Sequence, residues 1–328
     1  MQLFSKKLSQ IYLVLFVSAF LTITGNFTFF EKTILVYPLS ENWLFLGSLF
    51  FFLFTFLAAL LLLFCYRVTT KPILIVLLMI SAIVSYSTNN YGIVFDHNMI
   101  LNTFETDTSE FLDLVSFKSI LYFFIFGLLP SIFVWKVKLK KISFKAQLWE
   151  RVKTCLVLVI IFVIVVLTFS KHYASFAREN RDLRLYITPT YYLYSATKFV
   201  DSKFATSTKP FKEIGLDAKL NKKSDKRRLV ILVVGETARS DHMSINGYDL
   251  KTNPNLEQEE IISFDKMTSC GTDTALSVPC MFSLLDRSSY NHAEGKNMSN
   301  VLDIISHAGV SVLWLDNNSS SKSVADRI

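Results

Sequence analysis

The sequence predicts a five-helix transmembrane domain followed by an α/β domain outside the membrane. Three observations predict it. Residues 1–170 hold nearly all the long apolar runs of a 328-residue chain that is 51% hydrophobic and only 19% charged. The basic residues flanking those runs fall almost wholly on one side. From residue 229 onward, Val/Ile runs alternate with a helical segment, the pattern of a mostly parallel sheet. So lopsided a distribution excludes a fully soluble enzyme, a disordered chain and a disulfide-dense miniprotein. A pure channel is excluded because almost half of the chain lies outside the apolar runs.

A helix crosses a bilayer with roughly 20 apolar residues. The runs that meet this need are about Ile11–Phe27, Trp43–Cys65, Pro72–Tyr86, Ile120–Trp135 and Thr154–Ser170, the third and fourth borrowing flanking residues. The first follows Lys6 and Lys7 and resembles a signal peptide. No small-x-small cleavage site follows it and four more runs do, so it reads as an uncleaved anchor. With the N-terminus cytoplasmic, the inner stretches carry eleven basic residues, against Lys32 and Lys118 in the outer loops. Five spans then place residues 171–328 outside, in the periplasm. The net charge of +7 divides as +5 before residue 171 (13 basic, 8 acidic) and +2 after it (21 basic, 19 acidic). Most of the basicity is therefore topological, and nucleic acid is not an expected partner.

In the loop 87–118, a helix over Met99–Leu114 would put Asn102, Thr106 and Glu110 on one face at four-residue spacing. Such a stripe is either a solvated face or the lining of a lipid head-group site. Residues 171–228 form a bridging segment. Its Arg178–Phe211 stretch, with Arg181, Arg184, Tyr186, Tyr191, Tyr192 and Tyr194, suits the membrane interface or serves as a tether.

The outer domain, 229–328, opens on Leu229–Val234, a continuous Val/Ile-rich run expected of a buried parallel strand. Asn300–His307 reads as a helix and Val310–Leu315 as a second buried strand. Ligands gather at the carboxyl ends of such strands, where Glu236 stands; a plain helix N-terminal carboxylate is the other reading. Further on, Gly271, Thr272, Thr274 and Ser277 lead into an apolar run, which puts Thr274 near a helix N-terminus. There it either caps the helix or stands where backbone N–H groups favour an ionised hydroxyl or a bound phosphate. Cys65 and Cys155 sit at the inner ends of spans, whereas Cys270 and Cys280 lie in an oxidising compartment and read as a disulfide.

Three motifs carry a family resemblance: Val234-Gly-Glu-Thr-Ala-Arg-Ser-Asp-His-Met-Ser-Ile-Asn-Gly-Tyr248, Thr268-Ser-Cys-Gly-Thr-Asp-Thr-Ala-Leu-Ser-Val-Pro-Cys-Met-Phe-Ser283 and Trp314-Leu-Asp-Asn-Asn-Ser-Ser-Ser-Lys322. Behind five spans, they resemble the phosphoethanolamine transferases of Gram-negative bacteria, in particular the lipid A group that includes mobile colistin-resistance enzymes. The resemblance implies an alkaline-phosphatase-like zinc enzyme of the inner membrane. It makes Glu236 a zinc ligand and Thr274 a zinc-bound nucleophile. Asn102, Thr106, Glu110, Ser319 and Lys322 become contacts for the phosphoethanolamine substrate, and Cys270–Cys280 a disulfide bracketing the nucleophile. The implied donor is phosphatidylethanolamine and the implied acceptor a lipid A phosphate, with a phosphothreonine intermediate.

Catalytic zinc takes about three protein ligands, and the motifs supply Glu236 and Thr274. Asp241-His242 matches no ligand position and reads as structural; His292 and His307 lie outside the motifs. The chain is therefore expected to be the N-terminal fragment of a longer enzyme, from a partial sequence or a disrupted gene, and inactive by itself. Two rival readings stand beside this one. The first is a related phosphoethanolamine or phosphoglycerol transferase with another acceptor. The second is a catalytically dead membrane protein that only binds lipid through the Asn102–Glu110 stripe.

Overall fold

The computed structural model describes residues 7–105, 115–206, 210–220, 228–235, 237–316 and 320–328. Two compact units make up the chain: Met1–Ile100 with Thr108–Phe199, and Leu101–Asp107 with Val200–Ile328. In chain order the first helices are α1 (Gln10–Thr24), α2 (Phe27–Val36), α3 (Leu39–Phe64), α4 (Thr70–Tyr91) and α5 (His97–Glu105). After α6 (Phe117–Lys136) come α7 (Phe144–Thr168), α8 (Ser170–Glu179), a 3-10 turn at Arg181–Tyr186 and α9 (Thr190–Thr206).

Among the described residues, α3, α4, α6 and α7 are long and apolar enough to cross a membrane. The pair α1–α2, bent by 54°, makes a fifth crossing if it counts as one. Each helix starts before the apolar limit read from the sequence, and α4 and α6 also run past it at their ends. Apolar length reports the stretch that lipid or core must cover, whereas backbone hydrogen bonding carries the helix on through polar flanks.

The break between α1 and α2 has a local cause. A Cβ at Gly25 would stand 2.7 Å from the Leu21 carbonyl oxygen, so glycine is needed there. Asn26 is buried. Its amide donates to the Thr188 carbonyl at 2.8 Å, and its Oδ1 accepts the Thr188 N–H at 2.9 Å. Inside α6 a π-helical turn spans Phe124–Leu128. Pro130 follows, without an N–H to return to the preceding turn, the usual setting of such a bulge.

Apolar residues at three- and four-residue spacing build the bundle core. Leu13, Val14, Val17 and Leu21 of α1 meet Leu57, Ala58, Leu61 and Leu62 of α3 and Leu74, Leu77 and Leu78 of α4. Polar groups lock one end. The Gln10 amide donates to the Cys65 carbonyl at 2.7 Å and to the Thr70 hydroxyl, while Gln147 donates to Gln10. Beside them Arg151 is buried, donates to the Leu62 carbonyl at 3.1 Å and lies over the Tyr66 ring. At the other end an aromatic cluster surrounds the buried Phe45, with Tyr37, Phe169, Tyr173 and Phe176 around it.

The second unit is built from 3-10 turns and three short helices: α10 (Thr274–Met281), α11 (His292–Lys296) and α12 (Val301–His307). Neither expected buried strand is in a sheet: the described residues contain only isolated bridges. Leu229–Val233 have no regular secondary structure and are 70–86% exposed, because a buried parallel strand needs paired neighbours and none of the described segments pairs with this one. Val310–Leu315 likewise has no regular secondary structure, and its burial alternates: Val312 and Trp314 join an apolar cluster while Leu313 and Leu315 stay exposed. The expected helix at 300–307 is α12, capped by Asn300, whose Oδ1 accepts the Leu302 N–H at 2.8 Å.

The Asn26 clamp is testable. Asn26→Ala leaves the buried Thr188 amide groups unpaired and is expected to cost about 1–3 kcal/mol. The thermal midpoint in detergent, followed by circular dichroism, should fall by several degrees; an unchanged midpoint would contradict the clamp.

Candidate active site

The candidate nucleophile owes its position to a short helix. Thr274 is the first residue of α10. Asp273 precedes it as the cap, its carboxylate accepting the Leu276 N–H at 3.0 Å and its carbonyl the Ser277 N–H at 2.9 Å. An acidic cap occupies inner amides that would otherwise stay unpaired, and holds the first turn rigid. Ala275, Val278, Pro279 and Cys280 are buried beneath that turn.

The loop before α10 is fastened at both ends. Cys270 and Cys280 are joined by a disulfide with Cα atoms 6.3 Å apart. A Cβ at Gly271 would lie 2.5 Å from Leu276 Cδ2, so any other residue there has to push the Leu276 side chain aside. The Ser269 hydroxyl donates to the Gly271 carbonyl.

One apolar cluster gathers the three motifs. Val278 and Phe282 from the second motif pack with Leu302, Val324, Val234, Ile305, Val312 and Trp314. Phe282 and Trp314 meet edge to face, 5.6 Å between centroids. Val234 ends the strand-like run two residues before Glu236, and Val324 lies two residues past Lys322. The cluster thus ties the three segments to the helix that carries Thr274. Beyond Glu236, Thr237 holds a left-handed φ of 55°, a costly conformation for a β-branched residue.

Lys322 is buried, with φ of 52°. Its segment is fixed on both sides of α12. Asn300 donates to the Val324 carbonyl at 2.7 Å, and Arg327 grips Asp303 in a two-pronged pair at 3.0 and 2.7 Å. That fork was not picked out from sequence. The Asn300-x-x-Asp303 spacing of a capping box was its available signal.

Of the other candidates, Asn102 lies on α5, which ends at Glu105. Thr106, Glu110, Glu236 and Ser319 lie outside the described residues. Asp241 is exposed. Hydrogen bonds from Arg239, through Nε at 2.9 Å and Nη2 at 2.5 Å, and from His242, at 3.1 Å, hold its carboxyl well below the usual range. His307 closes α12 and bonds through Nε2 to the Leu216 carbonyl at 2.7 Å. Among the described residues no three His, Cys, Asp or Glu side chains group as metal ligands. Thr274 is the one described member of the implied zinc set, so the described residues do not make up a zinc centre.

Two family models match the chain: the phosphoethanolamine transferase EptA/EptB model over residues 53–204 and the sulfatase model over 228–327. Phosphatidylethanolamine transferase Mcr-1 of Escherichia coli is 40% identical over 331 residues, 99% of this chain and 61% of that protein. The chain belongs to the phosphoethanolamine transferase family. Another member, phosphoethanolamine transferase EptA of Salmonella typhimurium, is 31% identical over 328 residues, 98% of this chain and 60% of its own. The integral membrane lipooligosaccharide phosphoethanolamine transferase A of Neisseria meningitidis superposes with a TM-score of 0.92 at 29% identity, covering 98% of this chain and 61% of its own. The chain is thus a multi-pass membrane protein with a sulfatase-like region behind its helices, and it spans about 61% of the length of these relatives.

The disulfide makes a direct prediction. Alkylation of the unfolded, unreduced protein should label the two cysteines Cys65 and Cys155 and reach all four after reduction. Four labels without reductant would contradict the pairing.

Proposed function

We propose that this chain carries the membrane domain and the nucleophile-bearing part of an enzyme that transfers phosphoethanolamine from phosphatidylethanolamine to a lipid A phosphate. The observation that carries the reading is Thr274 at the first turn of α10, in a disulfide-closed loop, on the cluster where the three motifs meet. The names of the relatives, phosphatidylethanolamine and phosphoethanolamine transferases, support the same donor.

In this reading Thr274 Oγ attacks the phosphorus of the donor. The new Oγ–P bond forms as the bond from phosphorus to the glycerol oxygen breaks, and diacylglycerol leaves with a proton on that oxygen. A lipid A phosphate oxygen then attacks the phosphothreonine, forming a phosphoanhydride and returning the hydroxyl. The first turn of α10 stabilises the charge that develops there. Asn102, Thr106, Glu110, Ser319 and Lys322 are proposed to hold the phosphoethanolamine group. The buried Lys322 ammonium is the cation of that set. Zinc on Glu236 and Thr274 is the proposed cofactor, and when bound it would supply Lewis acidity and lower the hydroxyl pKa.

The proposal includes five spans with a cytoplasmic N-terminus in the inner membrane, and three parts: 1–170, 171–228 and a periplasmic α/β region from 229. Eleven basic residues on one side of the spans support this orientation. Added amines on lipid A make the surface less anionic, so cationic peptides such as polymyxins bind it less.

Mass spectrometry of lipid A from cells expressing the full-length enzyme that carries this chain tests the reading. Lipid A should gain phosphoethanolamine, and Thr274→Ala should lower the modification by about 10³-fold or more. Unmodified lipid A with altered core sugars would overturn the acceptor; full modification with Thr274→Ala would overturn the nucleophile.

A further inference from the structure

Two cavities of the first unit share one side chain. An apolar groove of about 440 Å³ runs between Leu49, Phe52 and Leu53 of α3, Val166 of α7 and Phe176 of α8, with Arg181 and Arg184 at its rim. Past Arg184 lies a polar pocket of about 310 Å³, lined by Asp96, Asn98, Tyr191, Tyr194 and Lys198. The two meet at the bundle end away from the Gln10 network, where α3 begins and α7 ends.

Each part has a chemical preference. The groove walls are spanning-helix side chains, and the Phe52 ring lies 5.3 Å from that of Tyr173, whose hydroxyl bonds Ser48 at 3.0 Å, so the wall is held open and apolar. Arg181 and Arg184 have no side-chain hydrogen bond or ion pair among the described residues. Two unpaired guanidinium groups at the mouth of an apolar slot complement a phosphate attached to an acyl chain. In the pocket, Asp96 Oδ1 caps α5 by accepting the Met99 N–H at 2.8 Å. Lys198 Nζ already covers the Tyr194 ring, 5.0 Å from its centroid, which leaves the Asp96 carboxylate and the Tyr191 ring to complement a small cation.

We propose that this composite site binds one molecule of phosphatidylethanolamine, with an acyl chain in the groove, the phosphate on Arg181 and Arg184, and the ammonium beside Asp96. The inference rests on the donor assigned under the proposed function and adds a holding site for it, separate from Thr274. An acidic phospholipid would satisfy the arginines and bring no ammonium to Asp96, which forms no ion pair with the Arg184 and Lys198 of its pocket among the described residues. Phosphatidylcholine would bring a cation without N–H donors for the carboxylate.

The test is native mass spectrometry of the purified chain carrying Thr274→Ala, which cannot consume the donor, released from nanodiscs of phosphatidylethanolamine, phosphatidylglycerol and phosphatidylcholine. The chain should retain one phosphatidylethanolamine in preference to the other two. Arg184→Ala should lower that retention about tenfold, with Arg184→Lys recovering part of it. Asp96→Asn, which keeps a competent helix cap, should keep a bound lipid and erase the preference over phosphatidylglycerol. Equal retention of the three lipids, preference for phosphatidylglycerol, or undiminished retention in a folded Arg184→Ala protein would overturn the site. The headgroup preference needs no substitution in the site, so it decides even if Arg184→Ala fails to fold. Retained preference in this chain, together with unmodified lipid A in cells expressing the full-length enzyme that carries it, would overturn the reaction and leave the site standing.

Discussion

Val234, Val278, Phe282, Trp314 and Val324 come from four stretches spread over about ninety residues, and they are held together by burial of their apolar surfaces. Polar candidates cannot assemble a site by themselves, since each is better solvated apart than crowded near a like or uncompensated charge. The apolar residues beside them supply the free energy. Thr274 precedes Val278 and Lys322 precedes Val324, so packing the hydrophobic member of each segment fixes the backbone beside its polar neighbour. Placing α10 also draws on the close packing of Gly271 against Leu276 and on the Asp273 cap. The disulfide stops the preceding loop from relaxing.

In the first unit a comparable division of labour holds. Leu and Val seams hold the helices together along their length, and buried amides specify which ends meet. Gln10 joins α1 to Cys65, to Thr70 of α4 and to Gln147 of α7, and Asn26 joins the α1–α2 break to Thr188. In an apolar surrounding such groups have few alternative partners, so they select one register where leucines alone tolerate several. The exposed apolar side chains of α7, such as Leu156, Val159, Ile160 and Ile164, form the outer face that lipid covers.

The membrane helices were legible because apolar length is a direct signature of a bilayer crossing. The bend after Thr24 was not, because the apolar run continues through Phe27 and only Gly25-Asn26 interrupts it. The α10 start was legible from small and hydroxyl residues leading into Ala-Leu-Ser-Val, although the cap fell to Asp273 and left Thr274 as the first helical residue. Leu229–Val233 carries a strand composition, but composition sets preference and pairing sets the sheet, so the run stays unpaired among the described residues and exposed. The fork of the exposed Arg327 on Asp303 was hidden because a charged pair 24 residues apart leaves no periodic trace. The resemblance supplied what spacing alone left open, namely the choice between capping and nucleophilic roles for Thr274.

The central claim is that Thr274 becomes covalently loaded. Peptide mass spectrometry of protein isolated from cells rich in phosphatidylethanolamine, quenched in acid, measures this directly. The account predicts phosphoethanolamine on the peptide containing Thr274, localised to that residue and absent in Thr274→Ala. Lipid A that is modified while Thr274 never carries the group, or the group found on another residue, would contradict it.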